Sequence, residues 1–208
     1  MLCILVVLLF VSGIEMPLLP QVAIDSLHKM QNEAQNQNAE ETEIELFPAS
    51  EISQFIPDSS GEFVYRPLRL SDFNRGYLEL LSDLTTVGHV SKEAFRARFE
   101  TMTVKPQAYF IVVVEDTKTG KVVGSISLVL EWKFIHEAAV RGRIEDVVVH
   151  HDYRSKGLAR VLNEIAIQLA KKQDVYKLSL DCKDQMISFY EKFGYKKDVN
   201  FMMQRFKE

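Results

Sequence analysis

The sequence predicts an α/β fold, with helices packed around a central mixed sheet. Short runs rich in Val, Ile and Phe recur through the C-terminal two thirds of the chain, the pattern of half-buried and buried strands. Between them lie stretches with apolar residues at helical spacing, opened by serine or glycine. The resulting order is strand, two helices, three strands, helix, strand, helix, strand, which alternates too freely for an all-α or all-β domain. With 208 residues, 47% of them hydrophobic, the chain can bury one substantial core with some sequence to spare.

Each element has a local reason. Phe63 to Leu68, FVYRPL, is a short strand, and Ser71 is placed to cap a helix through Leu81, with Phe73, Tyr77, Leu80 and Leu81 on one face. LTTVGHVS, Leu84 to Ser91, breaks that period. Ser91 can then cap a second helix with Phe95 and Phe99 turned inward. AYFIVVVED (Ala108 to Asp116) and VVGSISLVLEWKF (Val122 to Phe134) form outgoing and returning strands around the turn TKTGK, and GRIEDVVVH (Gly142 to His150) is the next strand. A helix from Gly157 to Lys172 carries Leu158, Val161, Leu162, Ile165 and Leu169 as one stripe. VYKLSLDC (Val175 to Cys182) is a strand, QMISFYEKFG (Gln185 to Gly194) a short helix closed by glycine, and Tyr195 to Phe206 a final strand.

Charge and cysteine usage narrow the function. The net charge of -4 argues against a broad nucleic-acid footprint, so any anionic ligand needs a local cluster of Lys and Arg. Cys3 and Cys182 give neither a disulfide framework nor metal-ligand spacing, so a reducing compartment and no metal are expected. The apolar run Leu2 to Val11 falls short of the roughly 20 residues a bilayer span takes. Its length fits a signal-peptide core, but no Lys or Arg precedes Lys29, which favours a shallow membrane anchor or a dispensable extension. Residues 31 to 45 are polar and acidic, a linker composition. These readings make residues 1–60 an apolar segment plus disordered acidic linker and 61–208 the folded domain.

The chemistry concentrates at HHDYRSKGLARVL, where a strand turns into a helix at glycine. The first amides of a helix lack partners within it and attract anions. Gly157 admits a ligand to the backbone, Ala159 keeps the next turn uncrowded, and Arg154, Lys156 and Arg160 add positive charge. The result is a pyrophosphate cradle. The spacing Arg-x-x-Gly-x-Ala is neither a P-loop nor a three-glycine dinucleotide fingerprint. Just upstream, Glu145 and Asp146 precede three valines. Strand alternation sends the two carboxylates to opposite faces, and one buried without partners would be costly.

Arg154, Ser155, Lys156, Gly157, Leu158 and Ala159 match the Gln/Arg-x-x-Gly-x-Gly/Ala motif by which the GNAT acetyltransferases grip the pyrophosphate of acetyl-CoA. The chain resembles, within that superfamily, the glucosamine 6-phosphate N-acetyltransferases. Leu84 to Gly88, Lys133 to His136, Ile144 to Val149, Tyr176 to Cys182 and Phe189 to Tyr195 follow their segments in order. The resemblance spans residues 61–208 and implies a GNAT fold, a single domain with a mostly antiparallel mixed sheet. It also implies acetyl transfer from acetyl-CoA to the amine of D-glucosamine 6-phosphate, as a step towards UDP-N-acetylglucosamine.

The same resemblance assigns roles. A backbone N–H at Val147 or Val148 would polarise the thioester carbonyl. Glu145 would face the amine as base or orient the sugar, Asp146 would bind or support, and Tyr190 would donate to the departing thiolate. Asp146, Val147, Val148, the loop from Arg154 to Ala159 and Tyr190 are the expected cofactor contacts. Thr85, Lys133, Phe134, Ile135, His136, Glu145, Asp181 and Arg205 are the expected sugar contacts, with Arg141 and Arg143 as further cations. The acceptor site is expected at a homodimer interface, with Arg205 reaching across from the other subunit. Met186 departs from the family asparagine and cannot supply an amide's hydrogen bonds. No His/Cys arrangement points to an acyl-enzyme, so direct transfer in a ternary complex is expected. Acetyl-CoA supply argues for the cytosolic side, free or peripheral on an endomembrane. The competing readings are a GNAT enzyme acting on a polyamine or protein N-terminus, and a non-catalytic CoA-binding module.

Overall fold

The computed structural model describes residues 43–57, 61–198 and 200–206. Its centre is a five-stranded sheet in sequence order: β1 (Phe63–Pro67), β2 (Tyr109–Asp116), β3 (Lys121–Trp132), β4 (Val140–Val149) and β5 (Val175–Ser179). The first four strands pair antiparallel, and β4 pairs parallel with β5, so the sheet is mixed and mostly antiparallel as expected. The β2–β3 hairpin turns where predicted. The Asp116 carboxylate accepts the Lys118 N–H (2.9 Å) and the Thr119 hydroxyl (3.0 Å), and Gly120 supplies the left-handed residue.

Helix α1 is Tyr77–Ser82, α2 is Lys92–Met102, α3 is Leu158–Lys172 and α4 is Ile187–Glu191. Strand alternation sorts the layers. A methyl group on Gly124 would stand 3.3 Å from Leu162 of α3, so the even positions of β3 face α3, and Ile126 and Leu128 are buried there. The odd positions Ser127 and Val129 look to the other face, under α1 and α2. Ser91 caps α2 as predicted, its hydroxyl accepting the Ala94 N–H at 3.2 Å, and Phe95 and Phe99 are buried.

Three expectations are corrected. The helix expected from Ser71 to Leu81 is split by Gly76, at φ 83°, into a 3-10 turn (Leu70–Arg75) and α1. Asp72, not Ser71, organises the start. Fully buried, it receives Arg66 through both guanidinium nitrogens (2.8 and 2.7 Å) and the Arg69 N–H at 2.7 Å.

The packed body also begins upstream of Gly61. Leu46, Phe47 and Ile52 are in the core, the Leu46 N–H donates to the Leu68 carbonyl at 2.8 Å, and Glu43 and Glu45 pair with Arg69. The acidic residues that made this stretch look like linker are ion-pair partners, and the few apolar anchors beside them suffice. The apolar run from Leu2 and the linker up to residue 42 lie outside the described residues.

The strand expected over Tyr195 to Phe206 is absent among the described residues. This segment is irregular, and Phe201, Met202, Met203 and Phe206 are exposed, leaving β5 as the sheet edge.

Candidate active site

The site is built on an irregularity in β4. Ser127 stands opposite Glu145 and Ser125 opposite Val148, so Asp146 and Val147 together oppose Ile126. Asp146 takes φ 51°, a left-handed conformation that a β-bulge can hold. The bulge overturns the expected alternation: Glu145 and Asp146 line the same cavity instead of opposite faces.

Beyond the bulge, β4 has a partner on one side only. The parallel pairing with β5 runs from Val140↔Val175 to Arg143↔Ser179 and stops there, while pairing with β3 continues to Val149. The His150 N–H donates to the Val123 carbonyl at 2.9 Å. Alternation from that bond turns the Val148 amide towards β3 and the amides of Val147 and Val149 to the open edge. Of the two valines singled out from sequence, Val147 is therefore the one free to donate. Val148 is a buried core residue with its N–H committed to the ladder.

Two cavities meet at this fork. One, of about 550 Å³, lies between β2–β4 and helices α1 and α2; its walls are apolar, and Ser127, Arg143, Glu145 and Asp146 gather at one end. Desolvation by the cavity wall, reinforced by the Glu145 carboxylate, raises the Asp146 carboxyl above its ordinary range, a shift moderated by solvent because the residue is exposed. The second cavity, of about 770 Å³, lies between the C-terminal end of β5 and α4, with Asp181, Cys182, Tyr190 and Tyr195 in its lining. Arg143 borders both, and its guanidinium joins Glu145 on β4 to Asp181 beyond β5.

Tyr190 is 8% exposed, wedged edge-on against Phe189 and Tyr195 with ring centroids 5.0 and 5.8 Å away. Burial raises its phenol above the usual range, with a smaller contribution from Cys182. The buried Tyr195 hydroxyl lines the same cavity and finds no hydrogen-bond partner among the described residues. Sequence reading assigned Tyr195 no role, although it closes the FYEKFGY segment. Met186 occupies the start of α4 with no side-chain cap, which is what the missing asparagine amide leads one to expect.

The loop expected to form an anion cradle has backbone suited to one, but two of its three cations are held by acidic partners. Ser155 (φ 66°) and Gly157 (φ 80°) are both left-handed at alternate positions, an arrangement that gathers backbone amides into a concavity. The first bonds of α3 run from the Arg160 and Val161 N–H groups to the Gly157 carbonyl (3.0 and 3.2 Å), so the Leu158 and Ala159 amides have no acceptor within the helix. The Leu158 side chain is core. Lys156, expected to add charge here, is tied to Glu62 at 2.8 Å and lies over the rings of Phe63 and Tyr153. It anchors the loop to β1. Arg160 pairs with Glu164 one turn on, at 2.9 Å. Arg154 is the cation of the three that no acidic partner holds among the described residues; its Nε reaches the Val149 carbonyl at 3.4 Å.

The expected sugar contacts divide. Glu145 and Asp181 are brought together by Arg143, whereas Thr85 is exposed in the loop after α1. Lys133 to His136 form the β3–β4 turn, with Phe134 and Ile135 exposed and left-handed backbone at His136, Glu137 and Ala138. The His136 ring lies 4.6 Å from that of Tyr176 on β5, Lys133 pairs with Glu131, and Arg141 donates to the Ser179 hydroxyl at 2.9 Å. Arg205 sits in the exposed terminal segment, and among the described residues no hydrogen bond or ion pair joins it to this turn.

A profile of the acetyltransferase (GNAT) family matches residues 74–195, more than half of the chain. The chain belongs to the GNAT acetyltransferase family. A probable glucosamine 6-phosphate N-acetyltransferase of Drosophila melanogaster is 49% identical over 130 residues, 62% of this chain and 59% of that protein. The glucosamine 6-phosphate N-acetyltransferase of Candida albicans is 38% identical over 69% of this chain and 96% of its own length. The crystal structure of the Arabidopsis thaliana glucosamine-6-phosphate N-acetyltransferase superposes with a TM-score of 0.68 at 35% identity, over 70% of this chain and 99% of that one. β4 and β5 separate beyond the pairing of Arg143 with Ser179 and leave a fork between them. The cradle lies at the fork's open end, and the carboxylate pair and Tyr190 border the two cavities that Arg143 separates.

Proposed function

We propose that this GNAT protein transfers the acetyl group of acetyl-CoA to the amine of D-glucosamine 6-phosphate, giving N-acetyl-D-glucosamine 6-phosphate and CoA. The observation that carries the reading is the β4 bulge. One backbone irregularity turns the Val147 amide to the open edge and holds two carboxylates over the neighbouring cavity. The choice of acceptor rests on the relatives, which share this sequence over most of their length and carry that name.

The residues present fit acetyl-CoA. The amides around Ser155 to Ala159, with Arg154 beside them, suit a diphosphate, and the gap beyond Arg143↔Ser179 gives an extended tail an unpaired strand edge to follow. Acetyl-CoA supplies the activated acyl thioester. The Val147 N–H would stabilise negative charge on the carbonyl oxygen as the amine attacks. An N–C bond forms and the C–S bond breaks. The proton lost by the amine passes to the Glu145–Asp146 pair, and Tyr190 donates a hydrogen bond or proton to the sulfur that departs.

Within the pair the two carboxylates divide the work. Arg143 grips Glu145, which suits it to fix the sugar or the amine in place. Asp146, with its raised proton affinity, is the better acceptor. Burial keeps Tyr190 protonated at neutral pH and makes it a hydrogen-bond donor to thiolate more than a strong acid.

The acceptor site is completed by a second copy of the chain in this reading. The exposed Phe201, Met202, Met203 and Phe206 follow α4 on a segment without pairing, and β5 offers an unpaired edge. Exchange of these segments in a homodimer would bury them and carry Arg205 to the Lys133–His136 turn of the other subunit. Acetyl-CoA supply argues for the cytosolic side, and the product feeds UDP-N-acetylglucosamine synthesis.

Thiol release from acetyl-CoA tests the proposal, with glucosamine 6-phosphate, unphosphorylated glucosamine and a polyamine compared as acceptors. The phosphorylated sugar should be turned over far faster than either alternative. Equal rates with and without the phosphate, or preference for the polyamine, would overturn the assignment.

A further inference from the structure

We propose that Asp83, His150 and His151 form a binding site for a borderline divalent transition-metal ion of the zinc class, clipping the end of α1 to the loop that carries the anion cradle. One ligand atom from each of these residues lies within 4.8 Å of the others, so a single ion can be shared among them.

The Asp83 Oδ2 and His151 Nδ1 atoms are 3.1 Å apart. Ligands on a tetrahedral zinc at about 2.1 Å sit roughly 3.4 Å from one another, so this pair needs to open by only a few tenths of an ångström. The His150 ring stacks on His151 with centroids 4.2 Å apart, which holds both imidazoles at one place.

The surroundings supply what a metal-binding histidine needs on its far side. His151 Nε2 lies 3.5 Å from the Asp152 carboxylate, a partner able to take the ring N–H and leave Nδ1 as the lone-pair donor. The His151 backbone N–H also donates to Asp83 Oδ2 at 3.0 Å, orienting the carboxylate towards the pair. Two imidazole nitrogens and one carboxylate oxygen match zinc better than the harder magnesium or calcium. The fourth position would be left to water or to an anionic group of a ligand.

The place gives the ion a consequence. Asp83 immediately precedes the loop whose Val87 and Val90 wall the smaller cavity, while His150 and His151 open the segment leading to Ser155 and Gly157. The ligands come from positions 68 residues apart, so no local spacing announces them, and an ion here fastens the acceptor wall to the cofactor loop.

Zn(II) titration of the tag-free full chain by calorimetry, and Co(II) absorption as a geometry probe, test the proposal. Expected are one ion per chain, tetrahedral Co(II) bands, and at least tenfold weaker binding in both Asp83→Asn and His151→Gln. The thermal unfolding of the two variants without metal shows whether they are folded, and Asp83→Asn keeps the side chain's shape. Cys182→Ser should bind like the parent chain. Absence of stoichiometric Zn(II) binding overturns the proposal, and so does binding that survives both ligand substitutions or disappears with Cys182.

Discussion

Replacing Tyr190 by phenylalanine separates the chemistry of its hydroxyl from the packing of its ring. The ring meets Phe189 and Tyr195 edge-on, and phenylalanine keeps both contacts. The loss of stability should stay within about 1 kcal/mol, the worth of one hydrogen bond, or a Tm change of at most about 4 °C in a domain of this size. The catalytic loss should be much larger. Proton donation by a positioned group is worth about 10²- to 10⁴-fold. A buried phenol with raised proton affinity belongs at the low end, since it can share its hydrogen with thiolate more readily than release it. We expect kcat to fall about 100-fold, or about 2.7 kcal/mol, with the Kd for acetyl-CoA changed less than threefold. Initial rates of thiol release, a titration with acetyl-CoA and a thermal melt measure the three quantities on one preparation. Turnover within twofold of the parent enzyme would remove Tyr190 from the reaction. A parallel collapse of affinity and Tm would make it a packing residue.

Three other substitutions probe the scaffold that holds the site. Asp146→Asn should abolish the acid limb of the kcat/KM profile and most of the activity, yet raise Tm at neutral pH. A carboxyl whose folded-state pKa is raised burdens the fold once ionised, and the gain should vanish below the unfolded value of about 3.9; melts at matched pH values check the sign. Asp72→Ala leaves Arg66 short of a partner at a fully buried position and should cost about 3–5 kcal/mol, read as a Tm drop of about 6–20 °C. Gly142→Val drives a side chain into Leu178 and Val175, which even a bare Cβ would approach to 2.8 and 3.0 Å. Forcing β5 from β4 just below the fork should cost about 1–3 kcal/mol and raise the KM for acetyl-CoA more than that for the sugar.

How far the sequence reached depended on whether a residue's environment was local. The strands, α2 with its Ser91 cap and the α3 stripe were legible because period and capping are written in neighbouring positions. So was the turn at Gly157, where a left-handed glycine stands at the start of α3. The break at Gly76 was not, because Asp72 is drawn inward by Arg66 on β1 and by the Arg69 amide. Nor was the packing of Leu46 to Ile52, where ion pairs with Arg69 consume the charges that imitate a linker. Lys156 read as a phosphate ligand because its partner Glu62 lies 94 residues away. The apolar pattern that predicts a final strand is present, but among the described residues the segment pairs with no strand, although β5 leaves an edge open.

Glu145 and Asp146 line one cavity because β4 is not a regular strand between them and Val148. Period two is a property of an unbroken ladder, and a bulge cancels it at the position where this chain places its paired carboxylates. Left-handed backbone at non-glycine residues is unfavourable, and among the described residues it occurs at His136, Glu137, Ala138, Asp146, Ser155 and Asp174. All but Asp174 fall in the β3–β4 turn, the bulge or the Arg154–Ala159 loop, the three segments proposed for sugar, reaction centre and cofactor. The irregularity that bears on the site is the bulge beyond Arg143, where the Val147 amide leaves the ladder and Glu145 and Asp146 come to line one cavity. A regular β4 would be the more stable strand, but it would return Asp146 to the α3 face and Val147 to the β3 ladder.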